Sequence, residues 1–176
     1  MQFFRINQGI LPIKLHNKKQ HGLPPQPYPF FENIYEHIIS QKKGFVVLAS
    51  FKQRAISGAV YFHFGNKAIY KYGASDRRYQ HLRANNSVMW ESIKWFGKNG
   101  FKGFSFGRTE PENSGLLQFK RGWGTDEKAI GYYKYDLQNA AFIKDRSRAK
   151  TSYTLFKNMP SPLLNLVGTL LYRHVG

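Results

Sequence analysis

The chain of 176 residues has no cysteine. That absence removes disulfide staples, thiolate metal sites and a cysteine nucleophile, and it agrees with a reducing compartment, so the expected location is cytoplasmic. Acids are scarce: ten Asp and Glu stand against 27 Lys and Arg, for a net charge of +17. An excess of this size favours phosphate-bearing partners or an anionic membrane surface through long-range attraction. Long apolar runs are missing as well. The longest, around Leu163 to Tyr172, falls far short of the roughly 20 residues that span a bilayer, and the opening MQFFRINQGILPIKL lacks the continuous apolar core of a signal peptide. Histidines stand at 16, 21, 37, 63, 81 and 174, never at a paired ligand spacing such as H-x-x-x-H, so no metal site is expected. No acid is in register with any of them, and a serine hydrolase triad is not expected.

What is present is enough apolar material for one packed domain: 41% hydrophobic residues, 16% aromatic. Residues 1–21 carry four Lys or Arg and no acid, and read as a weak helix or an extended lead-in from something that precedes them. HGLPPQPYP, 21–29, holds four prolines in nine residues and must run extended. Pro29 then suits the first turn of a helix, FFENIYEHIISQKK, in which Phe30, Ile34, His37, Ile38 and Gln41 repeat at helical spacing before Gly44. FVVLASFKQ, AISGAVYFHF and AIYKYGAS are β-branched and aromatic runs separated by hairpin-length breaks at Gln53-Arg54 and Gly65-Asn66, and predict three antiparallel strands. Asn85-Asn86-Ser87 predicts the cap of a helix through VMWESIKWFGKNG, with Val88, Trp90, Ile93, Trp95 and Phe96 on its apolar surface and Gly100 as its stop. FKGFSFGRT reads as a strand, Pro111 to Arg121 as a helix, and GYYKYDL as a last strand of the same sheet. After the basic linker KDRSRAK, an apolar helix is expected beyond Pro160 and Pro162, covering the sheet or a neighbouring domain, or lying on a membrane. This order predicts an α+β fold of three layers, α/β/α, around one mixed sheet. The expected divisions are a lead-in and strap over 1–28, the main domain over 29–138, and the basic linker and C-terminal helix over 139–176.

Four stretches could carry chemistry. YKYGASD, 70–76, leaves a strand with Gly and Ala that permit close approach of a ligand, with Ser75 and Asp76 as free polar groups; period two places Tyr70 and Tyr72 on one face. RRYQHLRANN brings Arg77, Arg78, His81 and Arg83, with Tyr79 among them, to a helix N-terminus where anions are favoured, although no glycine-rich cradle is there. FGRTEPENSG offers Arg108, the carboxylates Glu110 and Glu112, and Asn113; acids in a first helical turn usually complement the dipole. In SGLLQFKRGWG, Leu116, Phe119, Lys120 and Trp123 share one side of a helix. Lys120 there is either a snorkelling side chain or a partly buried ammonium able to stabilise an oxyanion or, with a lowered pKa, to act as a base.

YKYGASD, NNSVMWESIKW and FSFGRTEPENSGLLQFKRGWG, in this order and spacing, resemble the C-terminal half of the Fem-type peptidyltransferases, which build peptidoglycan interpeptide bridges, and related uncharacterised GNAT-fold acyltransferases of bacteria. The likeness runs over about residues 21 to 137. It implies a GNAT-like fold, a donor lying against the splayed middle strands, and transfer of an aminoacyl or acyl group to an amine. The implied donor is aminoacyl-tRNA or acyl-CoA, with no permanently bound cofactor, and the implied acceptor is a phosphate-bearing cell-wall precursor. Phe119 and Lys120 match the family's Phe-Lys pair, whose lysine stabilises the transferring acyl group, and Tyr72 matches its tyrosine. On this reading Lys120, Tyr72 and Asp76 are the catalytic candidates, with Glu110 the other candidate base. Phe119, Ser75, Arg83, Arg108, Asn113 and Tyr79 are the substrate-binding ones. SDRRYQHLRANN has no glycines where enzymes that use acetyl-CoA hold pyrophosphate, which favours another donor. Fem-type proteins have two GNAT-like halves and this chain matches the second, so a partner chain or an N-terminal half is expected, with peripheral contact at the inner membrane surface. A binding module without chemistry is the alternative of a different class, and an acetyl-CoA-dependent N-acetyltransferase the other.

Overall fold

A computed structural model describes the backbone of residues 2–7, residues 27–143, and the single positions 160, 163 and 167. The expectations for 21–26 of the proline-rich strap, for the basic linker and for the C-terminal helix lie outside the described residues.

Five strands make one sheet in sequence order: β1 (Gln2–Asn7), β2 (Gly44–Phe51), β3 (Arg54–Phe64), β4 (Lys67–Ser75) and β5 (Gly103–Ser105). The first four are antiparallel and β5 runs parallel to β4. Part of the lead-in is therefore an edge strand, paired with β2. The central strands read as nearly continuous apolar runs because both faces are covered. On one face Phe45, Val47, Ala49, Ile56, Ala59 and Tyr61 pack against Ala84, Val88, Met89 and Phe96 of α2 (Ala84–Lys98). On the other, Val46, Leu48 and Val60 pack against Ile34 of α1 (Tyr28–Ile34) and Ile39 of the π-helical turn Tyr35–Ile39 that continues it. These are the three expected layers.

Four details depart from expectation. Register slips between Val60 and Tyr61, so that Val60 faces Tyr72 and Tyr61 faces Tyr70, leaving Lys71 as the extra residue of a β-bulge. The bulge puts Tyr70 in the α2 layer and Tyr72 in the α1 layer, on opposite faces. The strand at FKGFSFGRT is only three residues long, because Gly107, at φ +70, turns the chain away. The cap of α2 is Arg83, itself left-handed at φ 50 and with no side-chain bond, not an Asn; and Trp90, half exposed, lies off the buried stripe of Val88, Met89, Ser92 and Phe96. Finally, Lys134–Asp136 (β6) pairs antiparallel with Ala141–Ile143 (β7) and with no strand of the main sheet.

Candidate functional site

The site is built where β4 and β5 part. Their pairing covers Lys67–Ile69 against Gly103–Ser105. Gly107 still lies close to β4, since a Cβ there would stand 3.3 Å from the Tyr70 carbonyl. Beyond it the chain leaves, and among the described residues no strand pairs with Lys71–Ser75 on that side. The result is a fork with one open β edge, to which an extended ligand can add hydrogen bonds.

Helix α3 (Ser114–Arg121) brings Lys120 to this fork. Asn113 caps it by accepting from Leu116 N at 3.2 Å, and Pro111-Glu112 form the turn before it, so the helix starts later than expected. Lys120 is the only buried charged residue among those described. Its Nζ donates to the carbonyls of Gly107 at 2.8 Å and Arg108 at 3.2 Å, the segment that departs from β4. Burial pulls its pKa below the ordinary lysine value. Two of its three N–H groups are thus engaged by the segment that leaves β4.

Phe119, the neighbour of Lys120, points elsewhere. With Asn86 of α2 and with Gly115, Gln118, Gly122 and Trp123 it lines an open cleft of about 450 Å³ between α2 and α3, and its ring meets Trp123 edge-on at 6.2 Å. The matched Phe-Lys pair thus divides, Phe119 to the cleft and Lys120 to the fork.

At the far end of β4, Asp76 accepts from Arg78 N at 3.1 Å and from the Arg78 guanidinium at 3.0 and 2.6 Å, with Arg54 at 3.6 Å. The Arg78 bonds lower its pKa to about 2. A carboxylate held so firmly ionised caps the turn Arg77–Leu82 and is a poor acceptor for an amine proton. Glu110, paired with Arg108 at 2.9 Å and exposed, is not gathered into the fork either. Ser75 accepts from Asn85 Nδ2 at 3.2 Å, while Asn85 Oδ1 accepts from buried Ser57 at 2.6 Å, a chain that ties the N-terminus of α2 to β3 and β4.

Tyr72 lies on the α1 face against Phe30, Phe31 and Phe62, with ring centroids 5.9, 6.1 and 6.2 Å away. Tyr79 packs on Phe51 under Arg54. Arg83 stands at the start of α2, and Arg108 lies over Tyr132 at 5.2 Å. Tyr70, expected on the same face as Tyr72, lies on the opposite one, in the α2 layer. Its ring covers Gly73 so closely that a Cβ there would be 1.8 Å from the hydroxyl, and burial raises its pKa, keeping it protonated. Strand alternation misplaces it, because the bulge decides its side. The expectation of no hydrolase triad passed over Gly103-Phe-Ser-Phe-Gly107, which does have the G-x-S-x-G spacing of an elbow, yet Ser105 is the last residue of β5 and accepts from Gly107 N at 3.1 Å, with no helix directly after it.

Residues 10–121 match a family model described as an acetyltransferase (GNAT) domain. The chain is similar to the lipid II:glycine glycyltransferases of Staphylococcus haemolyticus and Staphylococcus epidermidis, at 36% identity over 95 residues. That match covers 49% of this chain but only 22% and 23% of those proteins. Among solved structures, aminoglycoside antibiotic 6'-N-acetyltransferases share the fold. The one from Acinetobacter haemolyticus has a TM-score of 0.55 at 13% identity, over 70% of this chain and 89% of that one. The one from Acinetobacter baumannii has 0.53 at 15%, over 73% and 98%.

Proposed function

The chain belongs to the acetyltransferase (GNAT) domain family, and from that premise we propose that it is a Fem-like N-acyltransferase acting in cell-wall biosynthesis. The donor is an aminoacyl-tRNA and the acceptor an amine of a phosphate-bearing cell-wall precursor. The observation that carries this reading is Lys120, a buried ammonium fixed by two carbonyls at the mouth of the β4–β5 fork with one donor to spare. The acyl arm lies along the open edge of β4. Amine attack forms the C–N bond and breaks the ester C–O bond to the donor, and the third N–H of Lys120 receives the charge that builds on the carbonyl oxygen. The amine attacks in its neutral form, since Asp76 and Glu110 are bound to arginines, and the proton it loses on forming the amide goes to the departing ribose oxygen, which leaves as the hydroxyl of the tRNA. Family membership is also compatible with an acyl-CoA donor, but the β4–α2 loop SDRRYQHLRANN has no glycine with which to wrap a pyrophosphate.

A second reading has its own support. Tying Gly107 and Arg108 to α3 is a structural task that would by itself account for Lys120, leaving a non-catalytic module that holds tRNA or an anionic precursor. Both readings are tested with the chain alone and with an N-terminal GNAT-like half added in trans. Aminoacyl transfer from charged tRNA is measured beside thermal stability. Lys120→Met is expected to cut transfer by about 100-fold while the folded baseline is kept. Tight tRNA binding without transfer in either format selects the binding module, and transfer from acetyl-CoA at the same sites replaces the donor.

A further inference from the structure

Among the described residues, seven of the eleven exposed large hydrophobic ones fall between Ile130 and Ile143. They surround the β6–β7 hairpin, where Tyr133 and Tyr135 set their rings 6.0 and 5.1 Å from Phe142. Tyr133 is 82% exposed, Leu137 88% and Phe142 68%. Such a hairpin is marginal in water when nothing covers it, and among the described residues it pairs only with itself. We propose that it docks the chain on an anionic bilayer surface.

Charge names the occupant. A second copy would bring another +17 against this one, whereas an anionic leaflet brings the opposite sign. Lys134 lies within β6, and the seven residues that follow Ile143, KDRSRAK, contain four cations and one acid. The acid of the hairpin, Asp136, is turned inward, accepting from Gln138 N at 2.9 Å, Asn139 N at 3.2 Å and Asn139 Nδ2 at 2.7 Å. Tyrosine, with an apolar ring and a wet hydroxyl, suits the headgroup level, and aliphatic Leu137 at the hairpin turn suits the acyl boundary below it. No helix among the described residues is long and apolar enough to cross a membrane, so the contact is peripheral. This deepens the proposed function, resting on its cell-wall precursor being met at a membrane, and it can fail separately because vesicle binding needs no transfer.

The full chain is sedimented with vesicles of phosphatidylcholine, with and without phosphatidylglycerol, and compared with Tyr133→Ser/Phe142→Ser. The expected result is binding to the anionic vesicles, reduced about tenfold or more in the double variant, with the thermal midpoint of the main sheet unchanged because the hairpin pairs with none of its strands. Equal binding by the variant would mean charge alone, and would overturn the proposal. Strong protection of Tyr133 and Phe142 from hydroxyl-radical labelling without vesicles would mean that the rest of the chain covers the hairpin, and self-association abolished by the variant would mean a second copy; either result also overturns it.

Discussion

At the scale of single residues, the same type of group does opposite work according to its partners. Lys120 is a cation whose environment offers two carbonyls but no carboxylate, so burial weakens its hold on the proton while geometry aims it. Asp76 is a carboxylate surrounded by Arg78 and Arg54, which hold its proton off down to about pH 2 against an ordinary 3.8. A lowered folded-state pKa means that the unfolded chain binds the proton more readily. The stabilisation is therefore complete above the unfolded value and is lost as pH falls through the folded one. Asp76→Asn should be less stable than the parent at neutral pH. The gap should close between 3.8 and about 2, as read from urea midpoints across that range; a gap that stays constant with pH would assign the loss to the turn cap alone.

At the scale of elements, the β2–β3 hairpin shows a strand pair making up for a poor turn. Phe51 faces Arg54, so Lys52 and Gln53 are the two-residue turn, and both have positive φ, 46 and 63. Such a turn favours Asn-Gly, because other residues pay about 1–2 kcal/mol for the left-handed region. Lys52→Asn/Gln53→Gly should raise stability by about 0.5–1 kcal/mol after the entropy cost of glycine; a lower thermal midpoint would show that the turn is not the weak point. These hairpins were legible in the sequence because β-branched and aromatic runs end at short polar breaks. The bulge at Lys71 was not, since cross-strand bonding and no residue type demands it, and so the two tyrosines of YKYGAS were placed on one face. Of GYYKYDL only Lys134–Asp136 is strand, and alternation says nothing about which sheet a strand joins. Lys120 was legible through helical spacing, while its carbonyl partners, from a loop twelve and thirteen residues earlier, were not.

At the scale of the whole molecule, charge is the property that the fold leaves unspent. Among the described residues, ion pairs engage Arg54, Arg78, Lys94, Arg108 and Arg121 with four acids, and ten acids can never balance 27 Lys and Arg. Arg77 and Arg83 flank the turn that leads into α2, at the end of β4 where a donor's phosphates would lie if its acyl arm follows the strand edge into the fork. Each phosphate neutralised releases counterions, so the logarithm of affinity should fall linearly with the logarithm of salt concentration. Binding of tRNA across a salt series should therefore be steep, and Arg77→Gln/Arg83→Gln should lower the slope by about two while weakening binding to all tRNA sequences alike. A slope unchanged in the double variant would move the phosphate path away from the start of α2, and a flat salt response in the parent chain would remove polyanion binding as the reason for the excess charge.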